Sequence, residues 1–322
     1  DNLPTIKMNL SDGLLKALDT TSKVEKKAET TNTKAYELYL KAKHTYKKRK
    51  NTDDVEIVRG LLKKAIELDN NLISAKILLG ITYLGMGDFD KAMEIYILAL
   101  KQAEELDDKF GMGQSLNSIG NIYNFKGDYD KGLDYYGRSL VIKEELGDKH
   151  GMGIVLSNIG AVCNCKGDYD KALDYYDRSL VIDEEIGNKR GMGTNLNNIG
   201  MVYTNKGNYE KAFLYLQKAV NLQKEIGIIE LETVTLFVLA KKNLGKEYDK
   251  DEILKLIKKN RYIEDYLNYS LYQIFRDTYY LNVAYKQLQE KASAMDEELG
   301  RKFLSYPIPK AIVAEYNKVF KK

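Results

Sequence analysis

Cys163 and Cys165 are the only cysteines in the 322-residue chain, and His44 and His150 the only histidines. Nucleophilic, redox or transition-metal chemistry would have to draw on these four. Two residues apart on a helix, the cysteine side chains diverge by about 200° at 3.6 residues per turn, so they do not bridge easily. Two such ligands without further donors make a poor metal site. His150 stands where the chain, forty residues before and after, carries Phe110 and Arg190. A position that takes Phe, His and Arg reads as a solvated connection. The chain lacks H-E-x-x-H, a Cys/His cluster and a G-x-x-x-x-G-K-[ST] loop. The Gly-Met-Gly triplets at 111–113, 151–153 and 191–193 follow no strand, so they read as helix entries. We therefore expect no catalytic residue, no metal and no cofactor.

Amides are the other candidate chemistry. Asn117, Ser118, Asn121, Asn124, then Asn158 and Asn164, then Asn197, Asn198, Thr204 and Asn205 fall at related positions of three successive segments. Phe125, Ser157, Ala161, Cys165 and Met201 complete the sets. Asn is a poor residue inside a helix, so this many need a reason. A carboxamide both donates and accepts, and one side chain can grip a peptide unit of an extended ligand. These positions are expected to line a channel. The alternative is that they merely wet an exposed face.

The elements that would carry them follow from a fixed step. Gly80, Gly120, Gly160 and Gly200 lie forty residues apart, and Gly87, Gly127, Gly167 and Gly207 follow seven residues behind. Phe89, Tyr129, Tyr169 and Tyr209 keep the same interval, as do Ala92, Gly132, Ala172 and Ala212. Such a period means a stacked array in which each unit buries its apolar face against its neighbours. Each first helix carries (Leu/Ile)-Gly-x-x-(Tyr/Cys), as in Ile119-Gly120 and Tyr123. The in-helix Gly allows close approach of the neighbouring helix. The second Gly ends that helix, where a left-handed residue is wanted. Asp88, Asp128, Asp168 and Asn208 are placed to cap the next.

This signature resembles the tetratricopeptide repeat, lengthened from the usual 34 residues to 40. The connections DDKFGMG, GDKHGMG and GNKRGMG look like the long-helix subclass of kinesin light chains and spindle-orientation adaptors. Gly132, Cys163 and Leu216 depart from the pattern. The resemblance implies an all-α, right-handed superhelical solenoid of hairpins. It also implies that an Asn two residues before the signature Gly grips a bound main chain, which here selects Asn158 and Asn198; Ser118 departs. The Lys and Arg of a carboxylate clamp are missing from these positions.

We divide the chain into a linker or remnant of a preceding region (1–31), an array (32–245) and a C-terminal helical capping region (246–322). The array comprises a divergent hairpin (32–71), regular repeats (73–227) and a degenerate unit (228–245). Ser11–Leu18 is expected to form a short helix. Residues from 261 onward, rich in tyrosine, are expected to form a long helix over the open end, and Pro309 to start a last helix. The chain begins with Asp1 rather than Met and is read as a piece of something longer. TTNTKAYELYLKAK, LLKKAIELDNN and the tail LYQIFRDTYYLNVAYKQLQEKA are similar to the region that follows a TolB-like segment in bacterial multidomain adenylate/guanylate cyclases and some protein kinases.

Fifty basic against 47 acidic residues leave a net charge of +3, not the excess of a general nucleic-acid binder. The run KAKHTYKKRK (41–50) is read as the solvated face and last turn of a helix, where the macrodipole favours cations. No apolar run approaches the roughly 20 residues that cross a bilayer. The expected partner is a protein or peptide, with no nucleic acid and no membrane, in a cytoplasmic setting. Three roles remain open: a scaffold or regulatory module, a ligand sensor controlling an attached catalytic domain, and self-association through the C-terminal helices.

Overall fold

A computed structural model describes residues 32–49, 51–260 and 262–321. The expected helix at Ser11–Leu18 and the linker after it lie outside the described residues. Sixteen helices and no strand occur among the described residues. They form an all-α solenoid of helical hairpins. The chain divides into two compact units: one runs to Asn124 and adds Asp130–Val155, the other takes Phe125–Tyr129 and everything from Leu156.

The first unit holds α1 (Thr33–Lys48), α2 (Thr52–Leu68), α3 (Ile73–Leu84), α4 (Phe89–Glu105) and most of α5 (Lys109–Phe125) and α6 (Tyr129–Glu145). The side-chain oxygens of Asn32 and Asn51 accept from the backbone of Ala35 and Asp54 and start the first two helices. Ala35, Tyr39, Ala42 and Tyr46 make the buried stripe of α1, spaced at the helical period. Within the 41–50 run, Arg49 is buried, its guanidinium 3.9 Å from the centre of the Tyr46 ring. That segment is therefore partly packed rather than wholly solvated. Gly87 at φ 80° ends the turn after α3, and Asp88 accepts from Lys91 to start α4.

At the signature glycines the second helix of the hairpin lies in close contact with the first. A Cβ on Gly120 would stand 2.7 Å from the Tyr136 ring; on Gly80 it would overlap Tyr96. Each tyrosine lies fully buried in the hairpin's second helix.

The second unit holds most of α7 (Lys149–Lys166), then α8 (Tyr169–Glu185), α9 (Lys189–Asn205), α10 (Tyr209–Glu225) and α11 (Leu231–Asn243). The same contact recurs, with Tyr176 over Gly160 and Leu216 over Gly200. Asn208 caps α10 through Lys211, whereas Asp168 occupies the cap position of α8 without a side-chain bond, contrary to expectation. After α11, Gly245 at φ 65° turns the chain into α12 (Lys250–Lys259).

The tail is not one long helix. Arg276, left-handed at φ 59°, ends α13 (Asp265–Phe275), and Asp277 caps α14 (Thr278–Ser293). Two shorter helices follow, α15 (Glu297–Ser305) and α16 (Pro307–Phe320). Pro307, not Pro309, opens the last; its missing N–H is one the first turn leaves unbonded anyway. Leu267, Leu271 and Ile274 of α13 join Leu231, Val234, Val238 and Leu239 of α11 and Ile253 of α12 in one apolar core.

Candidate peptide-binding face

The amide positions divide into two kinds. Asn117, Ser118 and Asn121 on α5 are buried, and Asn124 is half-buried. Asn121 turns into its own hairpin, where its Oδ1 accepts the Tyr136 hydroxyl at 2.6 Å. In the second unit Asn164 and Asn197 are buried, while Asn158, Asn198, Thr204 and Asn205 are half-buried.

Most of these groups already have work inside the fold. Asn205 donates to Asn164 Oδ1 at 3.0 Å, and Asn198 reaches Ser157 Oγ at 3.5 Å. Both pairs join α9 to α7, one first helix to the next. Asn164 also approaches Met201 Sδ at 3.5 Å. Thr204 bonds back to the Gly200 carbonyl at 2.9 Å, a local habit of hydroxyls in helices. Stitching neighbouring repeats is thus one physical reason for polar residues at these positions. Asn158 and Asn198, the two selected by the resemblance, keep partial access to solvent.

Within the second unit, the C-terminal helices pack against Tyr129 and the turns at Gly127 and Gly167. The Tyr306 ring lies 4.9 Å from that of Tyr129, and Met295 and Phe303 approach Gly127. Pro307 closes on Gly167. Cys165 hydrogen-bonds Tyr129 and lies close enough to Lys291 and Asp265 to feel their charges; burial pushes its thiol up. Lys291 in turn pairs with Asp265 at 2.8 Å and Glu264 at 3.4 Å. Asn197 and Tyr266 hydrogen-bond Glu232, tying α9, α11 and α13 together. Desolvation and the Glu230 charge push Glu232 up to about 7, against the pull of those two bonds. Tyr129, Glu232, Tyr266, Lys291 and Tyr306 were not legible as site neighbours in the sequence, since no spacing rule joins residues so far apart in the chain.

Other polar residues serve the hairpins. Asp108, Asp148 and Asn188 accept from Gly111, Gly151 and Gly191, so the Gly-Met-Gly triplets are capped first turns. Lys143 and Asp148 form an ion pair at 2.8 Å, each only 4% exposed, with Lys143 above the Phe110 ring. A cavity of about 30 Å³ adjoins them, lined also by Gln114 and Asn117, with room for little more than water. One repeat on, Asp183 replaces the cation; Asn188 and Asn195 donate to it at 2.7 and 2.9 Å. Burial outweighs those bonds and pushes Asp183 up to about 6. His150 is no loop residue: it sits half-buried in the first turn of α7, its imidazole pushed down by burial.

Among the described residues no group of three or more His, Cys, Asp or Glu could hold a metal ion. None of their helices is long and apolar enough to cross a membrane.

The sequence model of the tetratricopeptide repeat matches residues 71–145, 111–184 and 151–225. That stretch consists of tetratricopeptide repeats. No curated protein matches the chain. Among solved structures, a Rap protein complexed with competence and sporulation factor is 13% identical and aligns over 98% of this chain and 97% of its own, with a TM-score of 0.60. The apo form of RapI is 15% identical over 87% of this chain and 99% of its own, at 0.57. BtubC (BKLC) from P. vanneervenii is 19% identical over 71% and 90%, at 0.50. At such identities the likeness is one of fold.

Proposed function

We propose that this chain is a non-enzymatic interaction module that binds an extended segment of a protein partner along the first helices of its repeats, within a larger signalling protein. Asn158 and Asn198 supply the main-chain grip. The observation that carries the reading is their placement: the same register of successive first helices, half-buried, with access to solvent. The repeat fold, commonly a binding scaffold, supports it. The resemblance of both ends to cyclase- and kinase-associated regions supports the signalling context.

A second reading, a sensor, is favoured by the C-terminal helices. They lie against Tyr129, Cys165 and Gly167, so a segment entering there would press on them and pass the signal to an attached domain. The Rap protein bound to competence and sporulation factor shares this fold and supports a ligand-binding role.

The test selects peptides from a random display library on the intact chain and measures their affinity for wild type and Asn158→Ala/Asn198→Ala. Each lost amide removes hydrogen bonds worth roughly 0.5–1.5 kcal/mol net, so the pair should weaken binding about tenfold or more. Neutral amides should leave the affinity only mildly dependent on salt. Equal affinities with unchanged helicity would move the interface off this face.

A further inference from the structure

A second site lies away from the amide register, where α10, α11, α13 and α16 converge. A polar cavity of about 300 Å³ opens there, lined by Tyr209, Lys242, Tyr269, Tyr272, Arg276 and Lys318, with Glu315 as its one carboxylate. The volume falls at the lower end of the range for small-molecule sites.

The lining is electrically unbalanced. Three cations face one anion, and that anion is already engaged. Glu315 Oε1 accepts the Tyr272 hydroxyl at 2.8 Å, and Oε2 lies 3.6 Å from Lys318. Lys242 is held in place by the last carbonyls of α13, donating to Gln273 at 2.7 Å and Ile274 at 2.6 Å. Burial first, then the charges of Arg276 and Lys250, push its ammonium down. Arg276 stands over the Tyr272 ring, 5.7 Å from its centre, at the left-handed residue that ends α13. Its fork of donors is therefore presented from a fixed point of the backbone. Gathering like charges around a cavity costs free energy that a bound anion would return.

We propose that this cavity binds a phosphate monoester. A phosphate group carries about −1.5 to −2 charges at neutral pH, which matches the excess of cations over carboxylate in the lining. Its several oxygens suit the planar guanidinium of Arg276 and the ammonium of Lys318, donors that reach it from different directions. A bare phosphate would leave much of the space unfilled. The esterified group packs against Tyr209 and Tyr269, so a compact, ring-bearing ester fits better than a free ion.

The experiment titrates the intact chain with phenyl phosphate, and with benzoate as a ring of similar size bearing one charge. The variants are Arg276→Asn and Lys318→Gln. Both side chains are exposed, and Asn tolerates the left-handed backbone, so the fold should survive; melting temperature and helicity verify this. Phenyl phosphate should bind at least about tenfold more tightly than benzoate, be displaced by inorganic phosphate, and weaken about tenfold in each folded variant. Raising the salt concentration should weaken it further. Two more arms, AMP and a phosphoserine peptide, distinguish a free metabolite from a modified protein as the source; a tighter fit of either supports the site. Benzoate binding as well as phenyl phosphate, no saturable binding of any ester, or binding unmoved by both variants overturns the proposal.

Discussion

Gly120 and Gly137 lie in one hairpin and should respond oppositely to the same substitution. Both are helical, and in an unhindered helix Gly→Ala gains roughly 1 kcal/mol from reduced backbone entropy. Around Gly137 nothing lies within 4 Å of the new Cβ, so Gly137→Ala should realise most of that gain. At Gly120 the Cβ would stand 2.7 Å from two atoms of the Tyr136 ring. That ring has nowhere to retreat. It is fully buried, and its hydroxyl is fixed on Asn121 Oδ1 at 2.6 Å. Forcing an extra methyl into a packed interior costs about 1–3 kcal/mol. Because the helix-propensity gain is common to both variants, their difference isolates the close approach and should be about 1–3 kcal/mol in favour of Gly137→Ala. Urea titrations followed by circular dichroism, with melting temperatures as a second measure, give that difference; arrays need not unfold in one step, so the two midpoints are compared over the same probe. If Gly120→Ala proves as stable as Gly137→Ala, the signature glycine is not a packing requirement and the account of the hairpin fails.

Acid should steady the second unit. Asp183 and Glu232 both have folded values raised above their unfolded ones, to about 6 and about 7, so the folded state holds their protons more tightly. Stability is then greatest at low pH within this pair of titrations and falls as pH rises from about 4 to about 6 for Asp183, by at most about 3 kcal/mol. Melting temperatures across that window should show the decline in wild type and a shallower one in Asp183→Asn; parallel curves would reject the assignment. Deleting residues 261–322 should uncover Leu231, Val234 and Val238 and cause aggregation, since a contiguous exposed apolar patch is a liability. Light scattering reads this, and a monomeric truncation with an unchanged melting temperature would show that α13–α16 are an independent element.

The hairpins themselves were legible in the residues. Gly87, Gly127, Gly167 and Gly207 mark left-handed turns, and the glycine three residues before each Tyr or Cys marks the close helix contact, because turn chemistry and helical periodicity are local properties. The regular spacing made neighbours of equivalent positions before any fold was known. What the sequence could not decide is which way the polar side chains turn. Asn121 bonds the tyrosine of its own hairpin, and Asn164 and Asn205 bond each other, because a carboxamide takes the nearest geometrically fit partner and spacing does not say which that is. The break at Arg276 hid for a related reason: a left-handed Arg carries no warning in the sequence, as Gly does. Only the tertiary structure placed Tyr306 against Tyr129 and Pro307 against Gly167. An apolar or aromatic face declares that it must be covered, since leaving it in water is unfavourable, but the hydrophobic effect has no direction and does not name the cover.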